Sequence, residues 1–103
     1  MMLLTKEVLT ALSELGLNKY EAKVYLTLIT EGISTAKNIS DITSIPYGKV
    51  YEILNVLASK GFVVTLPTKP MKCQAVSPKE LTEIVKKDIR KKWKNLKQLF
   101  LRN

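Results

Sequence analysis

The 103-residue sequence has no histidine, one cysteine and only four glycines, and it lacks any long uninterrupted apolar run. Without histidine, the commonest general base and the commonest metal ligand are both missing. Cys73 alone supplies neither a zinc framework nor an internal disulfide, and in a predicted strand it reads as a small packing residue in a reducing compartment. Gly16, Gly32, Gly48 and Gly61 lie about sixteen residues apart, so no glycine-rich phosphate loop is present. Their flanking residues do not match, which argues for one glycine per helix junction and against an internal repeat. No segment approaches the ~18 apolar residues of a membrane span. Met1-Met-Leu-Leu-Thr-Lys-Glu7 has neither a basic leader nor a small-residue cleavage site and reads as the start of a helix. No nucleophile is paired with an orienting base. These absences predict a cytoplasmic protein that is not an enzyme and has no cofactor, no metal and no membrane partner.

What is present is ordinary for a soluble globular chain, with 46% hydrophobic and 25% charged residues. The length allows one small core and no second one. Leu4, Val8, Leu12 and Leu15 form the inner stripe of a first helix ended by Gly16. Asn18-Lys-Tyr-Glu21 carries the cap residue and the acidic residue three places later that open a second helix. Ala22, Tyr25, Leu26, Leu28 and Ile29 form its core face, with Tyr25 in the core, and Gly32 closes it. Ser34 or Thr35 caps a third helix whose inner residues are Ala36, Ile39 and Ile42, with Lys37, Asn38 and Asp41 outward.

Ser44-Ile-Pro46 breaks that pattern, and proline suits the first turn of a fourth helix from about 46 to 60. Val50, Ile53, Leu54 and Leu57 make its buried stripe, while Gly48, Glu52, Asn55 and Ser59 fall opposite, flanked by Tyr47, Lys49 and Tyr51. Gly61 ends this helix, and two strands, 62 to 66 and 71 to 76, follow around a turn held by Pro67 and Pro70. Two short helices, a tight turn and a hairpin are the order of a winged helix-turn-helix. The expected fold is therefore mainly α with a small β-hairpin, comprising a winged helix-turn-helix over residues 1 to 78 and a long C-terminal helix over 79 to 103.

Ser77-Pro-Lys-Glu80 opens that last helix with a second capping signature. The chain's +8 charge is uneven. Residues 1 to 78 hold eight cations against six acids, and residues 79 to 103 hold nine against three. Leu81, Val85, Ile89, Trp93, Leu96 and Phe100 recur every three or four residues, widened by Ile84 and Leu99, and such a stripe must be covered. Its cover is either the same helix of a second chain, making a homodimer, or the chain's own domain. Lys86, Lys87, Arg90, Lys91, Lys94 and Lys97 lie on the remaining face, either solvated or against phosphates.

Leu15-Gly-Leu-Asn-Lys-Tyr-Glu-Ala-Lys-Val-Tyr-Leu, Ile45-Pro-Tyr-Gly-Lys-Val-Tyr-Glu-Ile-Leu and Lys60-Gly-Phe-Val-Val, in that order and spacing, resemble the DNA-binding domain of the TrmB-like transcription regulators over about residues 10 to 80. The resemblance implies a winged helix in an archaeal or bacterial cytoplasmic regulator. It further implies that the helix from 46 to 60 enters the major groove and that the wing lies against the DNA backbone. Many members continue into a long sugar-binding effector domain. Here only the basic helix follows the wing, so the expectation is a short dimerising protein without a small-molecule effector.

On the groove-facing helix the candidate DNA contacts are Tyr47, Gly48, Lys49, Tyr51, Glu52 and Asn55, with Lys37 on the preceding helix and Lys69 and Lys72 on the wing. Lys49 is the only cation in the first turns, where family members often carry an arginine near Tyr47 and a serine or threonine near Gly48. Tyr51 borders the buried stripe and serves either as core or as contact. The resulting expectation is a sequence-selective regulator bound to double-stranded DNA as a homodimer. The rival readings are a winged-helix protein-interaction module and a nonspecific architectural DNA-binding protein.

Overall fold

Capping residues and glycines divide the described residues into five helices and three strands. The computed structural model describes residues 6 to 101, apart from the side chains of Ile84, Val85 and Asp88. Leu4 and the side chain of Val85, both placed on apolar stripes above, lie outside the described residues. In order, the elements are α1 (Lys6–Glu14), α2 (Lys19–Glu31), β1 (Ser34–Thr35), α3 (Ala36–Thr43), α4 (Tyr47–Ser59), β2 (Val63–Leu66), β3 (Lys72–Ala75) and α5 (Pro78–Leu101).

The helix ends follow from local chemistry. Asn18 and Glu21 form a reciprocal capping box, with the Glu21 amide donating to Asn18 at 2.8 Å and the Asn18 amide donating to Glu21 at 3.0 Å. Thr35 caps α3 by accepting from the Asn38 amide at 3.1 Å. At the end of α4, Phe62 N–H reaches Leu57 C=O (2.9 Å) and Gly61 N–H reaches Ala58 C=O (3.1 Å), with Gly61 at φ 86°. This paired arrangement satisfies two of the last free carbonyls and needs a left-handed residue, which glycine supplies without a Cβ clash. It also turns the chain straight into β2.

Tyr25 ties the helices to the wing. It is buried at the centre of the core, meets Phe62 edge-on with ring centroids 5.8 Å apart, and donates its hydroxyl to Val76 C=O at 2.7 Å. Burial, and then the negative charge of Glu80, push its pKa up to about 12. Lys60 makes a second tie, donating from Nζ to Gly16 C=O (2.8 Å) and to Glu21 (2.9 Å), so the end of α4 is fastened to the α1–α2 turn. Burial alone would raise the Glu21 carboxyl. The Lys60 hydrogen bond, the Asn18 amide and the Lys60 charge outweigh it and hold the pKa below the usual carboxylate value.

Four details differ from the sequence reading. Leu15, placed on the inner stripe of the first helix, is 40% exposed just beyond the end of α1, and Leu12 is the buried residue there. The hairpin of β2 and β3 is joined by β1, giving an antiparallel sheet of order β1-β3-β2 with Ser34 opposite Cys73 and Val63 opposite Ala75. On α3 the inner residues are Ala36, Ile39 and Thr43, and Ile42 is 47% exposed. A spacing of three walks around a helix of 3.6 residues per turn, so the position after Ile42 falls back over Ala36. Leu81 is 5% exposed and belongs to the core of its own chain, which removes it from the exposed stripe of α5. The Ser77 cap and Pro78 start α5 directly after Val76, and its first turn therefore drops its apolar residue onto the domain. From Ile89 onward the stripe is open, with Trp93 66% and Phe100 76% exposed.

Candidate nucleic-acid interface

The turn between α3 and α4 is built from side chains that bond to nearby backbone. Ser40 Oγ donates to Ile45 C=O at 2.6 Å, and Thr43 Oγ1 donates to Ile39 C=O at 2.7 Å while accepting from Ile45 N–H at 3.2 Å. Ser44 takes the left-handed conformation at φ 63° and Ile45 is buried. These bonds hold α4 at a fixed angle to α3. Val50, Ile53, Leu54 and Leu57 anchor α4 from beneath, so the opposite side faces solvent.

Every candidate contact on α4 lies on that open side: Tyr47, Gly48, Lys49, Tyr51, Glu52 and Asn55 are all exposed. Gly48, Glu52 and Asn55 occupy the centre, at the three-and-four spacing of one helix face. The tyrosines flank them toward α3, Tyr47 at 56% and Tyr51 at 40% exposure, with rings 6.3 Å apart. Tyr51 is thus a surface residue and not part of the core. On the other flank the Lys49 ammonium sits 5.9 Å from the ring centroid of Tyr20, at the start of α2. Tyr20 is not among the residues singled out from the sequence. Its signal is nevertheless there, since it lies in the first turn of α2 off the positions Ala22, Tyr25 and Leu26 that point inward.

Gly48 has no structural requirement for glycine. Its φ is not positive, and a Cβ placed on it meets no atom within 4 Å beyond its chain neighbours and the adjoining backbone of its own helix. Within a helix, glycine costs roughly 0.5–1 kcal/mol relative to alanine. Beside it, Pro46 begins α4 without a side-chain cap, in contrast to Asn18 on α2 and Thr35 on α3.

A cleft of about 500 Å³ separates α3 from the wing and brings together Lys37, Ser40, Asp41, Tyr47, Pro70 and Met71. Lys37 is paired there with Asp41 at 3.3 Å, both side chains well exposed, so this pair is easily broken. Lys69 and Lys72 are exposed on the wing, beside the cleft in sequence and not among its lining. The structure therefore gathers Lys37, Tyr47 and the wing turn on one side of α4 and leaves Lys49 on the other. Among the described residues no group of three acidic or cysteine side chains is placed to hold a metal, and no helix is long and apolar enough to cross a membrane. Cys73 is buried in β3, and burial raises its thiol pKa, leaving it in the unreactive thiol form.

The family model for the sugar-specific transcriptional regulator TrmB matches residues 12–79, which run from α1 through the wing to the start of α5. This chain belongs to the TrmB family. It is 35% identical over 98 residues to the HTH-type sugar sensing transcriptional regulator TrmBL1 of Pyrococcus furiosus, covering 95% of this chain and 29% of that protein. It is 33% identical over 67 residues to the DNA-binding HTH-type transcriptional repressor TrmBL2 of Thermococcus kodakarensis, covering 65% of this chain and 25% of that one. Among solved structures, TrmBL2, described as an archaeal chromatin protein with a novel mode of DNA binding, superposes with a TM-score of 0.61 at 28% identity. That likeness covers 93% of this TrmB-family chain and 42% of TrmBL2. The chain thus spans under a third of the length of the curated relatives; the family model ends at the start of α5, whereas the likenesses to TrmBL1 and to the TrmBL2 structure take in most of that helix as well.

Proposed function

We propose that this chain is a sequence-selective transcriptional regulator that binds double-stranded DNA as a homodimer through α4 and the wing. The observation that carries the proposal is the two-sided character of α4, which is anchored by a fully buried stripe and opposed by an open polar face with Gly48, Glu52 and Asn55 at its centre. Membership of a family of transcriptional regulators supports the same reading. In this mechanism α4 enters the major groove. Glu52 and Asn55 meet base edges, while Tyr47, Tyr51 and Lys49 meet phosphate or a thymine methyl. Lys69 and Lys72 of the wing, and Lys37 once released from Asp41, neutralise backbone phosphates.

Residues 1 to 78 form the DNA-binding unit and residues 79 to 103 the dimerisation element, through Ile89, Trp93, Leu96 and Phe100. Two α4 helices then read half-sites about one helical turn apart, roughly 34 Å. Hydroxyl-radical footprinting on DNA from upstream of the chain's own gene tests this reading. Two protected patches about ten base pairs apart are expected. Uniform protection would instead support a nonspecific architectural coat. One observation favours that second reading: residues 89 to 101 carry five cations and no acid, whereas α4 offers a single cation near its tip.

A further inference from the structure

An apolar groove of about 520 Å³ lies at the root of α5, where that helix crosses α1 and α2. Val8, Leu15 and Ile29 form its far walls, and Pro78, Thr82 and Lys86 form its α5 side. Pro78, Thr82, Ile89, Trp93, Leu96 and Phe100 succeed one another at four, seven, four, three and four residues, which places them along one side of the helix. The groove therefore opens onto the same side of α5 as the exposed stripe, with Lys86 between the groove and Ile89. On α5 itself the smaller residues of this side, Pro78 and Thr82, are at the root, and its large rings, Trp93 and Phe100, are toward the tip.

Charge divides α5 in the same direction. Residues 78 to 88 hold three cations and three acids, while residues 89 to 101 hold five cations and no acid. Two such helices side by side in parallel would set one cationic half against the other. In an antiparallel pair each cationic half runs beside the partner's neutral half, which lowers the repulsion between them. Phe100 lies roughly 28 Å along the axis from Leu81, so an antiparallel partner in register delivers its rings to the groove.

From this shape and charge we infer that the groove between α1, α2 and the root of α5 is the docking site for the Phe100 end of α5 from a second copy of this chain, running antiparallel. The inference rests on the homodimer proposed above and adds its direction and its second contact. By two-fold symmetry both grooves fill at once, and the pair of winged domains sits at opposite ends of the paired helices.

The test uses the full chain with Cys73→Ser and a spin label at Leu101→Cys, a position that faces away from the stripe. Sedimentation first gives the oligomeric state, and dipolar spectroscopy then gives the distance between the two labels. The inference predicts a dimer with labels roughly 30–40 Å apart, against roughly 15–25 Å for a parallel pair. Ala11→Glu, which puts a carboxylate on the exposed α1 wall of the groove, should weaken the dimer at least tenfold while leaving the circular dichroism spectrum unchanged. A dimer with the short distance, or one indifferent to Ala11→Glu, overturns the groove inference and leaves the dimer itself standing. A monomer overturns both.

Discussion

Gly48→Ala should move stability and DNA affinity in opposite directions. Nothing beyond its chain neighbours and the adjoining helix backbone lies within 4 Å of the added methyl, and the backbone there is already helical. Alanine is the better helix former by roughly 0.5–1 kcal/mol, and in the first turn the lower end of that range applies. A gain of about 0.5 kcal/mol in a domain of this size raises the thermal midpoint by roughly 2–4 °C. The same methyl stands at the centre of the open face of α4. If DNA comes into van der Waals contact with the helix backbone, the methyl acts as overpacking, worth about 1–3 kcal/mol. That is roughly a 5- to 150-fold rise in Kd. Calorimetry and fluorescence anisotropy on the same two proteins read both quantities. An alanine variant that binds DNA as tightly as the parent would refute close approach at Gly48. One that melts lower would refute the open space around it.

Three further outcomes follow from the ties in the fold and the charge on α5. Tyr25 has a folded-state pKa near 12 against an ordinary value of 10.0, so the folded chain retains a proton that the unfolded chain gives up. Stability should therefore fall as pH rises from 10 to 12, by about 2–3 kcal/mol in all, and denaturant melts of Tyr25→Phe should lose that slope. Lys60→Met leaves the buried Glu21 carboxylate with the Asn18 amide and without its cation. Urea denaturation should register a loss of about 1–2 kcal/mol, between the worth of exposed and buried pairs. Glu21, whose pKa is lowered in the fold, stabilises above its unfolded pKa of about 4.5, and this contribution should fade as pH falls below that value, with a smaller fade in the variant. Replacing Lys86, Arg90, Lys94 and Lys97 by alanine should flatten the salt dependence of DNA binding by up to about 0.9 for each phosphate that is no longer neutralised. An unchanged slope would mean that this face of α5 is only solvated.

The parts of the fold legible in the sequence are those encoded within four residues. Asn18 with Glu21, Thr35 with Asn38, and Gly61 after Lys60 each carry their own reason to start or stop a helix. Strand β1 was not legible, because two residues cannot display an alternating pattern and Ser34 and Thr35 become a strand only by pairing with Cys73 and Lys72. Leu81 fits the spacing of the α5 stripe, and only the packing of α5's first turn against the core decides that it is buried. The open face of α4 was legible from its period. The approach of Lys49 to Tyr20, and the cleft that joins Lys37 to the wing turn, depend on how α2, α3 and β3 meet in space.

In the function proposed for it, this TrmB-family chain recognises DNA through the open face of α4. Fluorescence anisotropy across a salt series, with its own upstream DNA and an unrelated duplex of equal length, tests that recognition. Recognition predicts tighter binding to the upstream DNA, with a difference that survives extrapolation past the salt-dependent part, and its loss in an Asn55→Ala, Glu52→Ala variant. Equal affinities that fall together with salt would contradict sequence selectivity. Absence of binding even at ~50 mM salt would contradict DNA binding altogether.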